Sequence, residues 1–135
     1  MVVAGDVFGL PQFGAAGEVG SGAQINLVGR TPCKMTPTGL AVQSRMRAAG
    51  QIIDDPKLGT LFLDSKGAWR PLADADMSHL TDAVRWWNRT GKHFGAKAPI
   101  VRQWMLEAEN YILEYFGYNR SAGAKIRRTY EPPTR

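Results

Sequence analysis

The chain has 135 residues, a formal net charge of +5 and 44% hydrophobic residues, which is enough for one domain with one core and too apolar for a disordered segment. No apolar run approaches the ~20 residues of a membrane-spanning helix. The opening MVVAGDVFGLPQFG lacks a basic n-region and a sustained apolar h-region, so it does not read as a secretory signal.

Residues 1–36 read as a glycine-rich lead-in or linker, with Gly14, Gly17, Gly20 and Gly22 close together, and residues 37–135 as the folded domain. The glycine spacing matches neither phosphate-cradling loop pattern. A single cysteine, Cys33 in TPCKMTP, excludes an internal disulfide framework and a cysteine-based zinc site, and reads as a turn residue.

Thr38 to Ala49 reads as a short amphipathic helix with Leu40, Val42 and Met46 inward and Arg45 and Arg47 in water. Asp54, Asp55 and Pro56 make a turn, the commoner role for paired acids before proline than metal ligation. Thr60 to Leu63 and Ala68 to Leu72 are predicted strands across the Ser65–Lys66–Gly67 turn. Ser78 opens a predicted helix in which Leu80, Val84 and Trp87 fall at helical spacing. The neighbours Trp86 and Trp87 allow one buried ring and one near the surface, where a base can stack, but core packing is the default. His93 sits near that helix's end, where a cation suits the dipole.

Pro99 starts the next predicted helix, running to Asn110 with Ile100, Trp104 and Met105 inward. Tyr111 to Phe116, YILEYF, alternates and is aromatic, so it reads as a strand. Gly117 turns the chain, Asn119 caps a short helix or loop reaching Lys125, and Thr129 to Thr134 is an extended exit.

The chemistry-bearing candidates follow from this layout. His79 and Asp82 form H-x-x-D, and on a helix such a pair shares a face. A carboxylate there can orient the imidazole or ligate a cation beside it, and the imidazole can take a proton from water. The alternative is plain helix capping, with Asp82 near the positive end of the dipole. The tail after Asn119 carries Arg120, Lys125, Arg127, Arg128 and Arg135 against the single acid Glu131. Such a run is either a solvated face or a set of phosphate contacts.

DMSHLTDAVRWWNRTGKHFGAKAPIVRQWM, followed by NYILEYFGYNRSAGAKIRRTYEPP, resembles the C-terminal toxin domain called polymorphic toxin type 15. The resemblance covers about residues 74–133. Members are HxxD nuclease toxins attached to type VI secretion and other polymorphic-toxin delivery modules, related to the HNH/endonuclease VII group. The resemblance implies an α+β fold with a ββα-metal core elaborated by helices. It implies a DNase, with His79 and Asp82 as the two catalytic positions. By the same likeness Asn119, with Asp76 as partner, holds a Mg²⁺ or Mn²⁺ ion, and Arg120, Lys125, Arg127 and Arg128 seat the phosphate backbone. It further implies a cognate immunity protein, a delivery module, and action in the cytoplasm of a target bacterium. An RNase on the same scaffold and a non-catalytic nucleic-acid-binding module remain as alternatives. Two departures matter: HNH sites usually place an acid or His directly before the base, and here Ser78 stands there, so the sequence leaves Asp76 and Asp82 both open as the carboxylate; and a long helical insertion separates His79 from the YILEYF strand, interrupting the compact motif.

Overall fold

The computed structural model describes residues 22–124 and 128–135. Five helices and five strands follow in the order α1 (Gly22–Leu27), α2 (Pro37–Ala48), β1 (Ile52–Asp55), β2 (Gly59–Leu63), β3 (Trp69–Pro71), β4 (Ala75–His79), α3 (Ala83–Arg89), α4 (Pro99–Leu106), β5 (Tyr111–Tyr115) and α5 (Phe116–Ala124). The class is mixed α+β with small antiparallel sheets. Strands β1, β2 and β3 form a three-stranded meander, and β4 pairs with β5 in a separate two-stranded ribbon. Among the described residues no helix is long and apolar enough to cross a membrane.

Local chemistry accounts for the first half. Thr36 caps α2 by accepting from the Gly39 amide at 3.2 Å, with Pro37 at the first helical position. Gly39 is needed for close approach, since a Cβ there would lie 2.2 Å from the Lys34 carbonyl oxygen. Val42 and Met46 are buried as expected, but Leu40 is 46% exposed and Thr38 takes the inward place. Asp54 and Asp55 end β1, a strand that the local sequence pattern does not announce. The Asp55 carboxylate accepts from the Lys57 and Leu58 amides, which is turn chemistry.

Two buried clusters divide the core. In the first, Val42, Met46, Ile52, Phe62, Met77, Tyr111 and Leu113 pack between α2, the meander and the ribbon. In the second, Val28, Trp86, Trp87, Val101 and Met105 pack α3 and α4 together. Trp86 and Trp87 are both buried, as core packing predicts, and neither offers an exposed ring to a base. Trp86 instead stacks on Trp104, with ring centroids 4.4 Å apart. Gly91 permits this, since a Cβ there would lie 2.5 Å from the Trp86 ring. Helix α4 ends at Leu106, short of the expected Asn110, and buries Val101 and Met105 while Ile100 is 47% exposed.

The largest correction concerns residues 75–82. Ala75–His79 is a strand, not the start of a helix, and α3 begins only at Ala83 with Asp82 as its N-cap. The alternation of Ala75, Met77 and His79 with Asp76 and Ser78 is the period-2 pattern of a half-buried strand. Register pairs His79 with Tyr111, Met77 with Leu113 and Asp76 with Glu114. Helix α5 likewise starts at Phe116, so Asn119 lies one turn inside it and is not its cap.

The C-terminal segment is extended, as expected, and is strapped across α3. Trp87 donates from Nε1 to the Glu131 carbonyl at 2.7 Å, and Asn88 both donates to the Thr129 carbonyl and accepts from the Glu131 amide. Lys92 pairs with the Glu131 carboxylate. Val28 packs in the second cluster, so the chain is tied into the core before residue 37. Residues 1–21 of the glycine-rich lead-in lie outside the described residues.

Candidate functional site

The predicted site residues fall into two groups on opposite faces of the ribbon. Successive side chains of a strand alternate faces, and Asp76 and His79 are an odd number of positions apart. On one face α5 brings Asn119 and Arg120 to Asp76. Arg120 donates from Nε to Asp76 Oδ2 at 2.9 Å and from Nη2 to Oδ1 at 3.1 Å, and Asn119 donates to Oδ2 at 3.5 Å. Both carboxylate oxygens are therefore engaged by a guanidinium, where a metal ion was expected. Lys34 adds a second cation nearby, its ammonium donating to the carbonyls of Ala73 and Ala75. Burial lowers its pKa, against the opposing influence of Asp76 and Asp74.

On the other face His79 ends β4 at the seam between the two core clusters. Its ring lies tilted against Tyr111, with centroids 4.6 Å apart, and stacks on Trp104 at 5.9 Å. Its Nε2 atom is buried and has no hydrogen-bond partner. Burial pushes its pKa down to about 4, because an imidazolium in this aromatic setting loses its hydration. The ring is thus neutral at physiological pH.

Asp82 lies three residues on, past the end of the strand. Its Oδ1 accepts from the Val84 amide at 3.1 Å and caps α3. Its Oδ2 is buried and unpartnered by hydrogen bonds. Arg128 Nη1 lies 3.5 Å from that oxygen, close enough for an ion pair but without hydrogen-bonding geometry. His79 and Asp82 do not hydrogen-bond to each other, so the expected helical face shared by the pair is replaced by a strand end and a helix cap.

Beside Asp82 an open cleft of about 340 Å³ is lined by Leu80, Thr81, Asp82, Arg85, Arg89 and Arg128. Tyr130, on the C-terminal strap, interacts electrostatically with both Asp82 and Tyr111. Burial first, and Asp82 second, raise its pKa. Tyr111 is raised in the same direction by burial and by Tyr130. Its hydroxyl donates to the Met105 carbonyl at 2.7 Å and so joins the two clusters.

Sequence reasoning missed Arg85, Arg89, Trp104 and Tyr130 as members of this region. Arg85 and Arg89 carried a usable signal, since residues four apart share a helix face. Tyr130 carried none, because its place depends on the strap. Of the expected phosphate-binding residues, Arg128 lines the cleft and Arg120 is committed to Asp76. Lys125 and Arg127 lie outside the described residues. His93 stands apart, its Nδ1 3.1 Å from Thr134 Oγ1 on the exposed side of the strap.

The chain matches no family model, no curated protein and no solved structure. Among the described residues no three His, Cys, Asp or Glu side chains converge to form a protein-only metal cage. What the second group offers is a neutral imidazole nitrogen and a carboxylate oxygen, both buried and without hydrogen bonds, beside three guanidinium groups.

Proposed function

We propose that the protein is a nuclease that hydrolyses DNA phosphodiester bonds, a toxin of the polymorphic type with a cognate immunity protein, acting in the cytoplasm of a bacterium to which a secretion module delivers it. The observation that carries this reading is the pair of buried atoms without hydrogen bonds, Asp82 Oδ2 on the arginine-lined cleft and His79 Nε2 three residues earlier, against Tyr111 and Trp104. Buried polar atoms are nearly always satisfied in folded proteins, so two orphans in one region call for a ligand or a reacting group.

His79 is the general base. Its depressed pKa keeps it in the free-base form, though at about 4 it is a weak one. A phosphate anion arriving beside it raises that pKa toward neutrality and improves the proton transfer. Asp82 holds the N-terminus of α3 with one oxygen and turns the other toward Arg128 and the cleft. Trp104 and Tyr111 fix the imidazole plane by packing on it.

A Mg²⁺ or Mn²⁺ ion would take Asp82 Oδ2 as its protein donor only by displacing Arg128, which lies 3.5 Å from that oxygen. An ion held there would supply positive charge toward the scissile phosphate. Asp76 and Asn119 do not fit this role while Arg120 engages the carboxylate.

The ββα order is also present in outline. Strand β4 carries His79 at its end, β5 pairs with it after the α3–α4 insertion, and α5 follows directly. This agrees with an HNH/endonuclease VII-like core without requiring one. Purified protein is expected to degrade plasmid DNA with Mg²⁺ or Mn²⁺, to stop with EDTA, and to lose cleavage on His79→Ala. Parallel RNA substrate separates the DNase from an RNase. Retention of plasmid without cleavage in any divalent metal favours a binding module, a reading that the engaged Asp76 carboxylate supports.

A further inference from the structure

Arg85 and Arg89 lie four residues apart on α3, just over one turn or about 6 Å along the axis, and both line the same cleft. Neither has an acidic partner among the described residues, although both are exposed and the domain contains acids that pair elsewhere. Arg128 closes the third side from the C-terminal strap, which Asn88 and Trp87 hold in place. Among the described residues the single carboxylate lining the cleft is Asp82, whose Oδ1 is committed to the Val84 amide and whose Oδ2 faces Arg128. Three guanidinium charges against one carboxylate leave an excess of about two positive charges on the lining. Thr81 adds a hydroxyl at the rim.

We propose that this cleft is a phosphate-binding site in which Arg85 and Arg89 grip phosphate oxygens and Arg128 neutralises Asp82. The planar fork of arginine matches phosphate oxygens in pairs, which a solvated lysine face does not do. The assignment goes beyond the basic tail, because two of the three cations come from α3 and stand within two helical turns of the Asp82 cap. It rests on the nuclease reading only for the source of the phosphate, a nucleic-acid strand. A contact to the backbone positions the strand without reading its bases, so the site contributes affinity and salt dependence but little sequence preference.

The test uses the full chain in EDTA, where cleavage is stopped. Binding of a short single-stranded oligodeoxynucleotide is followed by fluorescence anisotropy across a salt series, for the parent and for the double variant Arg85→Ala with Arg89→Ala. Arginine Nε–Hε signals are followed by NMR on adding the same oligonucleotide or inorganic phosphate alone. Both positions are exposed, so the variant is expected to melt with the parent, which thermal unfolding checks. The expected result is binding weakened by about tenfold or more, with the log–log salt slope reduced by about 0.7 for each phosphate that the variant no longer neutralises. Movement of the Arg85 and Arg89 signals with inorganic phosphate but not with the oligonucleotide upholds the phosphate site and removes nucleic acid as its source. Equal affinity and slope in the two proteins, with neither ligand moving the Arg85 or Arg89 signals, overturns the proposal. Cleavage that survives in the variant but not in His79→Ala would then leave the nuclease reading standing without this site.

Discussion

Two polar clusters flank the same two-stranded ribbon, and they differ in how completely their atoms are satisfied. Around Asp76 both carboxylate oxygens have a donor, and the Arg120 side chain that engages them also lies over the Phe116 ring. Around His79 and Asp82 two buried atoms have no hydrogen-bond partner, and the cations of the adjoining cleft outnumber the acids. A closed ion pair of the first kind fastens α5 to β4. Buried groups without hydrogen bonds, as in the second cluster, cost free energy in the folded chain even where, as at Asp82, an arginine stands 3.5 Å away, and such costs gather where a protein holds something or reacts with it. The Asp76 cluster is thus read as a fastening and the His79 cluster as the working site.

The sharpest way to break this division is His79→Ala. Removal of a general base is expected to lower cleavage by about 10²–10⁴-fold, measured on plasmid DNA, while the variant stays folded by circular dichroism. Unchanged cleavage would transfer the chemistry elsewhere and dissolve the contrast.

His79 also predicts a pH dependence of stability. Its folded pKa of about 4 lies below the ordinary value of 6.5. Between these values the unfolded chain takes up a proton that the folded chain does not. The stability is therefore fully present above about pH 6.5 and falls as the pH drops toward 4, by on the order of 2–3 kcal/mol. His79→Phe keeps a ring against Trp104 and Tyr111 but cannot titrate. Denaturant melts at several pH values should show a smaller acid loss for this variant than for the parent, and equal losses would place the titration on another group.

The strap supplies a smaller effect. Asn88→Ala removes two hydrogen bonds to the backbone of residues 129 and 131 and should cost about 1–2 kcal/mol. It should also weaken oligonucleotide binding by several-fold, because Arg128 is then less firmly held at the cleft. Stability lowered with no change in binding would confine the strap to a structural role.

The smallest expected effect is at Asp76. Its ion pair with Arg120 is part-exposed, so Asp76→Ala should cost no more than about 1 kcal/mol, and cleavage should stay within about threefold of the parent. Loss of cleavage in a variant that melts normally would show instead that Asp76 works with His79 across the ribbon, as the metal-ligand expectation for Asp76 and Asn119 holds.

How much of this was legible in the sequence depends on how local each signal is. Helix α2, the β2–β3 hairpin and the aromatic strand β5 were all readable, since capping, turn residues and period-2 alternation act within a few residues. His79 and Asp82 became candidates through the block resemblance, because H-x-x-D alone fits helix capping as well, and Asp82 does cap α3. Their setting was not readable. Ala75–His79 carries both a strand alternation and the lead-in to a helical run, and local propensity does not choose between them. The choice was made by β5, whose Tyr111–Tyr115 backbone lies far along the chain and pairs with β4. That pairing moved His79 from a helix face to a strand end and sent Asp76 to the opposite side, because a strand changes face at every residue. Likewise, the sequence shows Arg85 and Arg89 on one helix turn, but only the strap brings Arg128 and Tyr130 to Asp82. Residue chemistry was determined by the sequence alone, and which groups meet was decided by long-range pairing, through contacts that no short window of the chain contains.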